Sequence, residues 1–128
     1  MKSEKRIISI ADAPAAVGPY SQGVALKDLV FFSGQIAIDP KIGKLIDGDV
    51  VAQTKQILKN IDNLLKSEGL TAENVVKTTV FITDITKFAA VNAAYAEYFS
   101  SNPPARSCIE VSALPLGALV EIEIIALR

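Results

Sequence analysis

Residues 74–82 read NVVKTTVFI, and residues 119–127 read LVEIEIIAL. Both runs are rich in β-branched side chains, whose restricted χ1 suits a pleated strand. In Asn74 to Ile82, Val76, Val80 and Ile82 alternate with Val75 and Phe81, so apolar groups leave both faces. In Leu119 to Leu127, Val120, Ile122, Ile124 and Ala126 fall on one side, with Glu121 and Glu123 on the other. Strands of this kind belong to a sheet that needs cover on both faces.

Outward from these two strands the chain supplies shorter β-prone runs and two helical patterns. Arg6 to Ile10 reads as a strand, ended by the Ala-Pro-rich stretch Ala11 to Val17. Val24 to Leu26 and Leu29 to Ser33 flank Lys27-Asp28 as a hairpin. Asp39-Pro40 with Ile42-Gly43 reads as a loop, and Asp47-Gly48 as a turn. Asp49 then caps a helix in which Val50, Ile57, Leu58, Ile61, Leu64 and Leu65 form an apolar stripe, with Gly69 as its stop. Asp84 or Thr86 caps a second helix carrying Phe88, Val91, Tyr95, Tyr98 and Phe99 on one face, and Pro103-Pro104 ends it. Ala105 to Val111 is a further strand. The expectation is one α+β domain over residues 1–128, with about six strands and two helices. Two helices cover one face of such a sheet. In a chain of 128 residues, the other face falls at least in part to another copy, so the chain is expected to self-associate.

Composition narrows the chemistry. The chain has no histidine and one cysteine, Cys108. Ser-His-Asp and Cys-His catalysis, histidine-ligated zinc, an intrachain disulfide and a CxxC site are therefore excluded. With 13 basic and 14 acidic residues the net charge is -1, which argues against a broadly basic nucleic-acid surface. The opening MKSEKRIISI lacks the apolar core of a signal peptide, and no apolar run approaches the ~18 residues of a membrane span. The expectation is a cytoplasmic protein with no membrane partner.

Arg106 opens the strand after Pro103-Pro104, and alternation puts Arg106, Cys108 and Glu110 on one side. If the apolar sides face the helices, Arg106, Cys108, Glu121 and Glu123 share the sheet's other face. There an arginine clamps a small carboxylate bidentately and a glutamate accepts a proton from water. The alternative is an Arg106–Glu121 ion pair at a subunit interface, and spacing alone does not choose between the two. Cys108 reads as a small buried apolar group whose backbone can line a site, and Glu110 and Glu123 as structural or solvated. Ser33-Gly34 permits close backbone approach to a ligand. Gly18-Pro19-Tyr20-Ser21 is turn chemistry that can place the Tyr20 hydroxyl over a pocket.

GPYSQG (18–23), SGQIAIDP (33–40), VNAAY (91–95) and above all PARSCIEVSALPLGALVEIE (104–123) resemble the Rid family, also called YjgF, and most of all its reactive intermediate deaminase A subgroup. The resemblance runs nearly end to end. It implies a chorismate-mutase-like two-layer fold, a mixed sheet with two helices on one face, assembled as a homotrimer with sites in the clefts between subunits. It implies hydrolysis of 2-imino acids, 2-iminobutanoate and 2-iminopropanoate, to 2-keto acids and ammonia, with no metal or organic cofactor. By position it implies that Arg106 binds the substrate carboxylate and Glu121 orients or activates water. Cys108 would contact the ligand through its backbone, while Tyr20, Ser33, Gly34 and Asn92 line the cleft. A small-carboxylate binding or regulatory module using the same cleft without turnover is the competing reading.

Overall fold

The computed structural model describes residues 4–128; the first three, which begin the charged opening segment read above, lie outside the described residues. Six strands form one sheet: β1 (Arg6–Ile8), β2 (Gly23–Leu26), β3 (Leu29–Gln35), β6 (Val75–Ile82), β7 (Ala105–Glu110) and β8 (Val120–Leu127). Two short strands, β4 (Ile38–Asp39) and β5 (Lys44–Leu45), pair separately, and the helices are α1 (Val50–Ser67) and α2 (Phe88–Tyr98). The order across the sheet is β1-β2-β3-β8-β6-β7. Every neighbouring pair is antiparallel except β6 and β7, which are parallel. Parallel strands need a long crossover, and α2 supplies it.

Local sequence accounts for most of these elements. The Asp49 carboxylate accepts the Ala52 N–H at 2.9 Å and so caps α1. At the other end Gly69 takes φ +71° while the Leu70 N–H reaches back to the Leu65 carbonyl at 2.9 Å. Ile57, Ile61, Leu64 and Leu65 are fully buried on one face of sheet residues Val30, Val80, Ile122 and Ile124. Truncating any of these large side chains to Ala should cost about 2–5 kcal/mol. The Lys27-Asp28 hairpin forms, with Lys27 at φ +54°. Asp84 accepts from the Thr86 N–H at 3.0 Å, capping a 3₁₀ turn, Ile85–Lys87, that runs directly into α2.

Three details differ from expectation. Asp39 to Gly43 is the turn of the β4–β5 hairpin rather than a plain loop, closed by the Gly43 N–H on the Asp39 carbonyl at 2.8 Å. β1 ends at Ile8 and β7 at Glu110. In β6 a register shift between Val75 and Lys77 breaks strict alternation. Val75 is consequently 4% exposed and joins the core, while Val76 is 43% exposed.

The helices cover one face only. On the other, Ile7, Leu29, Phe31, Ile109 and Leu127 are exposed, accompanied by Phe81, Ile125, Glu121 and Glu123. The chain thus leaves apolar surface on its open sheet face, as the two-sided strand pattern requires.

The ends of the chain are fastened by charge. Glu68, just past α1, accepts from Arg6 Nη1 at 3.1 Å and Arg128 Nη2 at 3.0 Å, and the Arg128 N–H donates to the Asp28 carbonyl at 2.8 Å. The Glu68 side chain is only 7% exposed. Hydrogen bonding from Arg6, opposed by burial and helped by Arg128, holds its carboxyl below the ordinary glutamate value. A depressed folded pKa contributes stability above the unfolded value, roughly pH 4.3, and that stability is lost as pH falls through the folded value. Glu68→Gln is therefore expected to melt below wild type at neutral pH, with the two melting temperatures converging as the solution is acidified below about pH 4. Thermal unfolding followed by circular dichroism across that range checks it.

Candidate active site

β3 and β8 build the first group of site residues. Between Phe32 and Gln35 the β3–β8 register shifts, and the irregularity at Ser33-Gly34 turns this segment toward the open face. The Ser33 hydroxyl donates to the Ser21 carbonyl at 2.6 Å, and the Ser33 N–H to the Gln22 carbonyl at 2.9 Å. Tyr20 lies alongside, its hydroxyl accepting the Val17 N–H at 3.2 Å. With Glu121 and Glu123 of β8 these residues line a cavity of about 750 Å³, whose remaining wall includes Val17, Ile36, Ile38 and Leu116.

Gly34 sets the position of Glu121. A Cβ added at residue 34 would lie 2.4 Å from Glu121 Oε2, so any side chain there pushes the carboxyl out. Burial, and secondarily the charge of Glu123, raise the Glu121 pKa above the ordinary glutamate value. Glu123, read from sequence as structural or solvated, is thus a wall of the cavity and an electrostatic neighbour of Glu121.

Arg106 is elsewhere, and this corrects the expected arrangement. In the parallel β6–β7 register Arg106 lies beside Thr78 and Cys108 beside Val80. Thr78 and Val80 are fully buried beneath the helices. Arg106 and Cys108 therefore face the helix side, and Glu121 and Glu123 the open side. The assumption that every strand turns its apolar side to the helices fails in β7. As an edge strand flanked by α2, β7 can turn a charged side chain inward, and its Ile109 faces out. Arg106 Nη1 donates to Asn92 Oδ1 at 2.8 Å, and its guanidinium carbon lies 4.8 Å from the Tyr95 ring centroid and 5.4 Å from that of Phe88. Among the described residues no carboxylate pairs with it. An intrachain Arg106–Glu121 pair is not formed.

The sheet therefore separates two groups: Tyr20, Ser33, Gly34 and Glu121 around the cavity, and Asn92, Arg106 and Cys108 under α2. Burial raises the Cys108 thiol pKa, with Arg106 partly offsetting it, which does not favour a reactive thiolate. Glu110 is structural, accepting the Ile85 N–H at 2.9 Å.

The motif GPYSQG also contains an organising residue that turn chemistry alone did not single out. Gln22 is buried; its Oε1 accepts the Ile10 N–H at 2.6 Å and its Nε2 donates to the carbonyls of Ile10 at 3.0 Å and Pro14 at 2.8 Å. It thereby holds the segment that leads to Tyr20. Nor did the helical pattern mark Phe88 and Tyr95 as walls for a cation, because an aromatic stripe reads first as core. Among the described residues no cluster of His, Cys, Asp and Glu is arranged to hold a metal ion, and no helix is long and apolar enough to cross a membrane.

The family model described as Endoribonuclease L-PSP matches residues 10–128. The chain belongs to the Rid (YjgF) family. This Rid chain is 48% identical to the human protein named 2-iminobutanoate/2-iminopropanoate deaminase, across 97% of the chain and 90% of the relative. It is 50% identical to the conserved Rid-family protein YyfA of Yersinia pestis, with a TM-score of 0.94 and coverage of 97% and 99% of the two chains. The E. coli protein TdcF, solved with bound serine, superposes with a TM-score of 0.91 at 42% identity over 96% of this chain and 98% of that one. The mixed six-stranded sheet with its two helices is thus a Rid fold.

The Glu121 electrostatics are open to a direct check. Glu123→Gln is expected to lower the Glu121 pKa only part-way to the ordinary value, because burial, the larger cause, remains. Carboxyl carbon chemical shifts followed against pH measure both positions.

Proposed function

We propose that this protein is a deaminase that hydrolyses 2-imino acids such as 2-iminobutanoate and 2-iminopropanoate to 2-keto acids and ammonia, and that it works as a homotrimer. The observation that carries the reading is the complementarity of the two separated groups. Arg106 is held in place yet has no carboxylate partner among the described residues, whereas the cavity on the opposite face holds a Glu121 of raised pKa. A second copy seated on the open sheet face, presenting its α2–β7 edge, would bring Arg106 to that cavity. Such a contact joins two different surfaces. It is heterologous, and heterologous contacts close as rings when the rotation permits. The apolar side chains on the open face supply the surface to be covered, and the names of the relatives support both the reaction and its substrates.

In the assembled cleft Arg106 binds the substrate carboxylate with two parallel charge-assisted hydrogen bonds. Asn92 flanks the guanidinium, the Cys108 backbone contacts the ligand, and Tyr20, Ser33 and Gly34 complete the wall. Glu121 orients a water and accepts a proton from it as the oxygen attacks C2 of the protonated imine. The resulting carbinolamine takes the proton back on nitrogen. The C–N bond then breaks as the Glu121 carboxylate takes the hydroxyl proton, releasing ammonia and leaving the carbonyl. The raised pKa of Glu121 makes its carboxylate a stronger base for taking the proton from water. Imines hydrolyse without a catalyst, so positioning and a single proton relay are sufficient. No cofactor enters the scheme.

The family's description names an endoribonuclease. With no histidine the chain offers no imidazole acid–base pair for that activity, and its net charge of -1 weighs against a broadly basic nucleic-acid surface. The regulatory reading, a cleft that binds small carboxylates without turnover, shares every contact above except the proton relay.

A dehydratase acting on threonine in the presence of semicarbazide generates 2-iminobutanoate and traps it as a chromophore. Wild-type protein is expected to suppress trapping. Arg106→Ala should lose roughly 100-fold or more of that rate through its two charge-assisted bonds, and Glu121→Gln about 100-fold through the relay. Full binding of 2-ketobutyrate with no wild-type effect on trapping would instead identify a sensor. The assembly is tested separately: Phe31→Asp, placed in the open face, is expected to convert trimer to monomer in light scattering, and an undisturbed trimer would place the subunit contact elsewhere.

A further inference from the structure

The Arg106 guanidinium occupies a cradle built from three residues of α2. Tyr95 of α2 lies against it at 4.8 Å from ring centroid to guanidinium carbon, and Phe88, two turns earlier on the same helix, at 5.4 Å. Both distances are within the roughly 6 Å over which a ring face attracts a cation. Asn92, between them on α2, engages Nη1 alone. Tyr95 is itself fixed. Its ring is buried, packs on Phe99 with centroids 4.7 Å apart, and its hydroxyl is 2.8 Å from the Thr78 hydroxyl. Thr78 is completely buried in β6 and is the register partner of Arg106 in β7.

We propose that Tyr95, supported by Phe88, is a positioning residue that fixes the plane of the Arg106 guanidinium so that its remaining N–H donors are presented together to a ligand carboxylate. This rests on the reading of Arg106 as the carboxylate clamp and adds the device that aims it. A free arginine side chain samples many rotamers, and bidentate binding needs one plane. A carboxylate partner within the chain would fix that plane but would compete with the substrate. Ring faces fix it without occupying an N–H, and Asn92 occupies only one of the five. Thr78 transmits the rigidity of β6 to the ring, which ties the orientation of the clamp to the sheet.

Isothermal titration of the assembled protein with 2-ketobutyrate tests the proposal. Tyr95→Leu is expected to weaken binding about tenfold, the order of one partly desolvated cation–π contact. Tyr95→Phe, which keeps the ring, should recover most of that loss. Phe88→Leu, at a half-open position more tolerant of truncation, should weaken binding in the same direction and covers the case in which Tyr95→Leu does not fold. In an Arg106→Lys background, where no planar fork is left to orient, Tyr95→Leu or Phe88→Leu should add almost nothing. Wild-type affinity in both ring variants, alongside lost binding in Arg106→Ala, overturns the positioning role and leaves the clamp standing. An equal loss in wild-type and Arg106→Lys backgrounds also overturns it, because the rings then act independently of the guanidinium. Unchanged binding in Arg106→Ala overturns the clamp, and the positioning role with it.

Discussion

Alternation along β8 is the constraint on which the other features depend. Val120, Ile122, Ile124 and Ala126 turn toward the helices and are buried, while Glu121 and Glu123 turn the other way. A slip of one residue against β3 and β6 would drive both carboxylates under α1 and push the four apolar side chains into the open. The cost of burying two unpaired charges makes that register inaccessible. Because β8 lies between β3 and β6, its register also fixes the face on which Glu121 meets Gly34. Core packing and site geometry are consequences of one choice of pairing.

The edge strand follows a different logic. β7 has a strand neighbour on one side only, and α2 lies alongside it. A central position would demand an apolar side chain toward the helices. At the edge, the same direction accommodates a half-buried arginine whose head meets an amide oxygen and two ring faces. The sheet thus holds a cation and a carboxylate on opposite faces without letting them neutralise one another. Had Arg106 and Glu121 paired within the chain, neither would be available for a substrate.

Around this frame the loops are held by polar side chains rather than by apolar packing alone. Gln22 satisfies backbone groups of Ile10 and Pro14, while Asn60 donates to the Ile38 carbonyl at 2.8 Å and Gln53 accepts the Leu119 N–H at 2.9 Å. Each of the three is buried. Buried amides bonded to loop backbone groups specify a single loop conformation, because a displaced partner is left unsatisfied. That is how segments with little regular structure can hold Tyr20 and the cavity wall in place.

The sequence by itself was sufficient for α1, whose cap at Asp49, apolar stripe and stop at Gly69 all act within a few residues of chain. It was sufficient also for the alternation in β8, for the Lys27-Asp28 hairpin and, through resemblance, for the family. The bulge that buries Val75 and exposes Val76 was not legible, because it depends on pairing with β8 rather than on any local preference. Nor was the face of β7. Alternation says that Arg106 and Cys108 share a side, but which side meets the helices is settled by parallel register with β6 and by the reach of α2, both contacts between residues far apart in the chain. The same is true of Phe88 and Tyr95, which a helical stripe marks as apolar and only the packing of α2 over β7 turns into walls for a guanidinium. Local preference acts through neighbouring backbone and is written in the order of residues; the side of a sheet on which a charge comes to rest depends on which distant strands pair, and only the folded chain decides that.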